Sequence, residues 1–230
     1  MKSGVFIISA PSGSGKTTLV ERLLQEVPGL VFSISYTTRP PRGQEQNGKE
    51  YFFVSREEFK AMIGRRGLLE WAEVFGNFYG TARRFLEEAR REGKDLLLDI
   101  DVQGATQVKE KIQGAVSIFI LPPSRDDLEW RLRHRSQDSE EVIQKRLLDA
   151  GREIYGYDQY NYILINDQVD KSAERLKAIV LTERRRRQGK SSSGQDTEET
   201  KAARVLAESC RKERLQDQVD PILASFGGSS

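Results

Sequence analysis

The stretch Ile8 to Leu19, ISAPSGSGKTTL, sets a lysine and a threonine directly after a glycine-punctuated loop. Residues Ala10 to Thr17 fit the pattern of one small residue or Gly, four residues, then Gly-Lys-Thr. In that pattern the glycines let backbone N–H groups curl round a phosphate, and the N-terminus of a following helix adds partial positive charge. Lys16 would reach the outer phosphates of a nucleoside triphosphate, and the Thr17 hydroxyl would hold Mg²⁺. The expected ATP-binding set is therefore Ala10, Pro11, Ser12, Gly13, Ser14, Gly15, Lys16, Thr17 and Thr18, with Ala10 at the position the pattern often gives to Gly. The loop alone leaves open whether the phosphoryl group goes to water, a protein or a small molecule.

The residue types elsewhere narrow that choice. Transfer to an alcohol needs a base, whereas a phosphate monoester, with a second pKa of about 6, is already a nucleophile at neutral pH. A phosphate acceptor asks instead for arginines and hydroxyls that clamp two mutually repelling anions. The chain has a single histidine, His134, which reads as a solvated surface residue, and an arginine loop in SYTTRPPRGQEQNGKEY. Arg39 and Arg42 flank Pro40-Pro41, which stiffens that loop, and guanidinium forks suit phosphate oxygens. Tyr51 and Tyr79 would add neutral donors.

These residues need elements to place them. The apolar runs VFIIS, LLLDID, VSIFIL and YILIN alternate with amphipathic stretches, which predicts an α/β fold with a mostly parallel sheet flanked by helices. Two segments interrupt the rhythm. Residues 34–96 carry the arginine loop, short strand-like pieces, a Gly76-Asn77 turn, a capping box at Ser55–Glu58 and a helix from about Ala82 to Arg91, and read as an inserted subdomain with its own small sheet. Residues 125–151 read as charged helix with Ser124 and Ser139 as N-caps. The core is then 1–33, 97–124 and 152–187. Residues 188–230 read as a polar linker and an unstructured tail, with KAARVLAESCRKERLQDQV as one alternative helix that would bring Val205, Leu206 and Leu215 near one face. The run Arg184 to Arg187 suits a helix C-terminus, an RNA or membrane contact being the other reading.

Three runs, Ser35–Tyr51, EWAEVFGNFYGT (Glu70–Thr81) and LLLDIDVQG (Leu96–Gly104), together with the phosphate loop, make the chain resemble the guanylate kinases over roughly Ser3 to Arg187. The resemblance implies a P-loop NTPase core, a GMP-binding subdomain at 34–96 and a helical lid at 125–151. It further implies reversible transfer of the ATP γ-phosphoryl group to GMP, and to dGMP, with Mg²⁺. Arg39, Arg42, Tyr51 and Tyr79 would hold the GMP phosphate; Ser35, Glu70, Thr81 and Asp101 would read guanine, and Glu45 would steady the arginine loop. Guanine presents N1–H and a 2-amino group side by side, two donors that the Glu70 carboxylate can accept together and adenine cannot supply. Arg131, Arg135 and Arg146 match lid arginines that stabilise the transferring group alongside Lys16 and Arg39. The sequence departs from the family pattern around Arg135, which His134 and Ser136 flank. Asp99 ends a buried strand, where it would face Mg²⁺ through the ion's waters or else cap the next helix. Asn166-Asp167 resembles the adenine-side loop, a plain strand-to-helix turn being the alternative.

Composition bounds the remaining classes. With 37 Lys plus Arg against 35 Asp plus Glu the chain lacks the basic excess of a nucleic-acid protein, and its one cysteine, Cys210, excludes an internal disulfide. No apolar run approaches a membrane span and a strand begins almost at once, so a cytoplasmic protein without signal peptide or membrane partner is expected. Two other functions share these features: a kinase for a different nucleoside monophosphate, and a non-catalytic guanylate-kinase-like binding module. An intact phosphate loop argues against the second.

Overall fold

Val5–Ser9 (β1), Leu30–Ser33 (β2), Asp95–Asp99 (β7), Val116–Leu121 (β8) and Tyr162–Ile165 (β9) are the apolar runs of the sequence, and they form one sheet in the order β2-β7-β1-β8-β9. The computed structural model describes residues 3–74, 76–135, 139–189 and 196–227. β2 and β7 pair in parallel, Leu30 opposite Asp95, and so do β8 and β9, Ile118 opposite Tyr162. Parallel strands covered on both faces carry continuous rather than alternating apolar residues, and every residue of β1 and β8 is buried.

The described residues divide into two compact units. The first comprises those of Met1–Ile7 and Gly29–Ala115. Within it Tyr36–Thr37 (β3), Phe52–Phe53 (β4), Leu68–Val74 (β5) and Asn77–Ala82 (β6) form a second sheet in the order β4-β3-β6-β5, with β5 and β6 an antiparallel hairpin. Arg56–Gly64 (α2) starts at the expected capping box: the Ser55 hydroxyl accepts from Glu58 N–H and the Glu58 carboxylate accepts from Ser55 N–H. Phe59 and Met62 of this helix pack with Leu68, Phe78 and Ala82 of the hairpin. Arg83–Arg91 (α3) and Val102–Lys111 (α4) complete the unit.

The second unit comprises the described residues of Ile8–Pro28 and Val116–Ser230. It holds Lys16–Glu26 (α1), Arg125–Arg135 (α5), Glu140–Glu153 (α6), Val169–Arg187 (α7), Glu198–Ser209 (α8) and Gln216–Gly227 (α9). Ser124 caps α5, its hydroxyl accepting from Asp127 N–H at 3.0 Å. Ser139 stands at the N-cap position of α6 as expected but makes no side-chain cap; Glu140 and Glu141 in the first turn favour that helix end. Leu128 and Leu132 of α5 pack with Ile143, Leu147 and Ala150 of α6.

The C-terminal region corrects the sequence reading. It holds two helices rather than an unstructured tail or a single helix, and Ala207, Cys210, Val219 and Ile222 are buried along it, while Val205 is 69% exposed. The arginine run at the end of α7 explains the docking: Arg185 pairs with Asp196 and Arg186 with Glu208, and Arg211 returns an ion pair to Glu183. These partners lie up to 28 residues apart in sequence, so no local pattern announces them.

Candidate functional site

The phosphate loop takes its shape from two left-handed glycines, Gly13 at φ +92° and Gly15 at φ +86°, the latter capping α1. Space forbids a side chain at both: a Cβ on Gly13 would stand 2.8 Å from Leu132 of α5, and one on Gly15 would stand 2.4 Å from the Asn166 amide nitrogen. Asn166, immediately after β9, is buried and donates from Nδ2 to the Ser14 carbonyl at 2.7 Å. Arg131 of α5 donates to the Asn166 carbonyl at 2.7 Å and to the same Ser14 carbonyl at 3.5 Å. Asn166 is therefore more than a turn residue; with Arg131 it converges on the loop backbone. Ser14 Oγ and Asn166 Oδ1 are buried without a hydrogen-bond partner among the described residues, an arrangement that costs free energy unless a ligand completes it.

Lys16 and Thr17 open α1, the first half-buried and the second exposed. Arg146 lies half-buried on α6. Arg135 ends α5, but its side chain, like Ser136, lies outside the described residues. His134 is exposed and stacks on Trp130 with ring centroids 4.2 Å apart, as a surface residue should.

The other predicted residues lie in the first unit. Arg39 is 7% exposed, and Glu45 grips its guanidinium bidentately, both contacts at 2.9 Å, while also accepting from the Arg42 N–H at 2.8 Å. The hydrogen bonds from Arg39 hold the Glu45 carboxyl below the usual carboxylate range. Tyr51 and Tyr79 meet edge to face at 6.0 Å, and the Arg39 guanidinium lies 5.3 Å from the Tyr51 ring centroid. The Arg42 side chain is exposed. Ser35 is half-buried and joins the sheet through its carbonyl, which accepts from Phe52 N–H.

Glu70 sits opposite Thr81 in the β5–β6 hairpin, just after a register shift: Leu68 faces Ala82 and Glu70 already faces Thr81. That bulge breaks the alternation of the strand, so Leu68, Leu69 and Glu70 are all buried. Glu70 Oε1 and Thr81 Oγ1 make no hydrogen bond among the described residues, although the Thr81 hydroxyl is close enough to favour the carboxylate. Burial first, and the nearby Asp101 charge, raise the Glu70 pKa to about 7 against the pull of Thr81 and Lys111. Asp101 caps α4, accepting from Gly104 N–H at 2.8 Å. The capping role left open for Asp99 thus belongs to Asp101; Asp99 ends β7 half-buried.

Three residues of α4 that the sequence reading passed over complete this arrangement. A Cβ on Gly104 would stand 2.5 Å from Glu70 Oε2, so only glycine leaves that carboxylate its place. Gln107 pins the strand on the far side of Glu70, donating to the Trp71 carbonyl at 2.7 Å and accepting from its N–H at 3.3 Å. Lys111 donates at 2.7 Å to the carbonyl of Leu69, the extra residue of the bulge. Positions 104, 107 and 111 share one helix face, the only signal in the sequence that could have pointed to them.

The chain is similar to known proteins over most of its length. The family model described as "Guanylate kinase" matches residues 2–183. The chain is 55% identical over 229 residues to a guanylate kinase of Koribacter versatilis, covering 98% of this chain and 97% of that one. It is 52% identical over 180 residues to a guanylate kinase of Geobacter metallireducens, covering 78% and 89%. Among solved structures it is similar to the guanylate kinase of Anaplasma phagocytophilum, at 35% identity and a TM-score of 0.64 over 84% of this chain and 88% of that one.

Proposed function

The chain belongs to the guanylate kinase family and is an ATP:GMP phosphotransferase, and from that premise we propose how its residues divide the reaction. The phosphate loop, Lys16, Arg131 and Asn166 hold ATP. Arg39, Arg42, Tyr51 and Tyr79 hold the phosphate of GMP, while Glu70, Thr81, Ser35 and Asp101 read guanine. The observation that carries the guanine reading is the pair of buried, unpartnered acceptor atoms on facing residues, Glu70 Oε1 and Thr81 Oγ1. Guanine N1–H and its 2-amino group are the donors that such a carboxylate lacks, and AMP would leave it unsatisfied.

The acceptor phosphate needs no base, so the protein's contribution is to place and neutralise two polyanions and to exclude water. Glu45 fixes the Arg39 fork in advance, which spares the ordering cost when phosphate arrives. Arg131, Arg135 and Arg146 would bring positive charge to the transferring group from α5 and α6. The exposed Thr17 hydroxyl offers Mg²⁺ an oxygen ligand, which suits a hard cation. No group of three or more His, Cys, Asp or Glu gathers among the described residues, so the ion would draw its other ligands from nucleotide phosphates and water. When bound it would neutralise charge between the outer phosphates.

The test is ADP release measured in parallel with GMP, AMP, UMP and CMP. GMP should exceed the others in kcat/KM by about 10³-fold or more; comparable rates with AMP would overturn the assignment of Glu70.

A further inference from the structure

The family match ends at residue 183, yet the chain continues through two further helices that the Koribacter relative also covers. That extension grips the second unit at two places. At one end its backbone joins β9, the outer strand of the sheet: Ile163 N–H donates to the Cys210 carbonyl at 2.9 Å, and Tyr162 pairs with Arg211 in an antiparallel bridge. An uncovered edge strand would expose those backbone groups. The Tyr162 hydroxyl donates to Glu183, which also receives Arg211, so β9, α7 and the extension share one partly buried polar network. At the other end α9 reaches α5. Ser225 Oγ accepts from Arg125 N–H at 3.0 Å, taking one of the free N–H groups at the start of that helix from a position 100 residues away. Phe226 packs against the Leu128, Leu132, Ile143, Leu147 and Ala150 cluster that joins α5 to α6.

The two gripped elements are those that converge on the phosphate loop. Asn166 leaves the end of β9 and Arg131 projects from α5, and both donate to the Ser14 carbonyl. We propose that the segment from Asp196 to Gly227 is a positioning element of the donor site, which fixes Asn166 through β9 and Arg131 through α5 against the phosphate loop. The proposal rests on the assignment of ATP to that loop. Ser225 and Phe226 are positioning residues that act through α5.

Ser225→Ala should raise KM for ATP by about fivefold, the factor of one net hydrogen bond, and Phe226→Ala, which removes apolar packing on α5 and α6, by about as much or more, with KM for GMP unchanged within twofold in both. Ser225→Thr, which keeps the hydroxyl, should restore the wild-type value. Amide exchange across Arg125 to Leu132 should quicken in the Ala variants of the nucleotide-free protein, a readout that does not depend on the acceptor. Lower melting temperature with unaltered KM for ATP and unaltered exchange in α5 would overturn the proposal, leaving the extension a stabilising appendage. Failure of the GMP reading would show separately, in the wild-type acceptor series.

Discussion

With Glu70 as the proposed reader of guanine, stability and recognition conflict at that residue. A carboxyl whose pKa is 4.5 in an open chain and about 7 when folded keeps a proton in the native state that the unfolded state has lost. Between those pH values the native state binds more protons, so this residue's contribution to stability falls as pH rises and levels off above about 7. The loss is on the order of 3 kcal/mol at most. Recognition runs the other way, because two guanine donors need the ionised form. KM for GMP should therefore fall as pH rises through about 7, with KM for ATP flat across the same range. Glu70→Gln removes the buried charge and offers guanine an NH₂ where an acceptor is needed. Its melting temperature above pH 7 should exceed the wild type's, while kcat/KM for GMP drops by about 10² to 10⁴. A variant that retained GMP turnover within tenfold would place guanine recognition elsewhere.

At the scale of elements, α4 and β5 work as one piece. Alanine ordinarily stabilises a helix by about 1 kcal/mol relative to glycine, and Gly104 sits in the first turn of α4, three residues after its cap. The Glu70 carboxylate occupies the space a methyl would need, 2.5 Å away, with β5 held in place by Gln107 and Lys111. Gly104→Ala should thus raise KM for GMP by about tenfold and leave KM for ATP unchanged, as steady-state kinetics in each nucleotide would show. Equal rises for both nucleotides would mean that the helix itself had failed. The same pair of elements shows what a sequence can and cannot disclose. Ser55–Glu58, the phosphate loop, and the Arg39–Glu45 loop are legible because their partners lie within a few residues of one another. The bulge at Leu69 is invisible because it depends on register with β6, and Gln107 and Lys111 look like an ordinary solvated face until β5 is laid against them. The extension was misread for a related reason: Asp196 and Glu208 look like surface charges until Arg185 and Arg186 are opposite them.

At the scale of the whole molecule, the residues proposed for the two substrates fall in different units. Every residue assigned to GMP lies within Gly29–Ala115, whereas the phosphate loop from Ala10 onward, Arg131, Arg146 and Asn166 lie in the other unit. A ligand that binds only the native form stabilises it by RT ln(1 + [L]/Kd), about 2.7 kcal/mol at a hundredfold excess over Kd. Local opening within a structure spans a range of free energies, so such stabilisation need not spread evenly. GMP alone, at that excess, should slow amide exchange by up to about 100-fold in β3, β5, β6 and α4, where the orphaned Glu70 and Thr81 acceptors gain partners. ATP alone should do the same for the first turn of α1, for α5 and for the end of β9, where Ser14 and Asn166 hold the unsatisfied atoms. Each nucleotide should leave the other set within about threefold of its free rate, since the residues assigned to each nucleotide lie within one unit. Protection of the phosphate-loop amides by GMP in the absence of ATP, with the β5–β6 hairpin unaffected, would reverse the division of substrates between the two units.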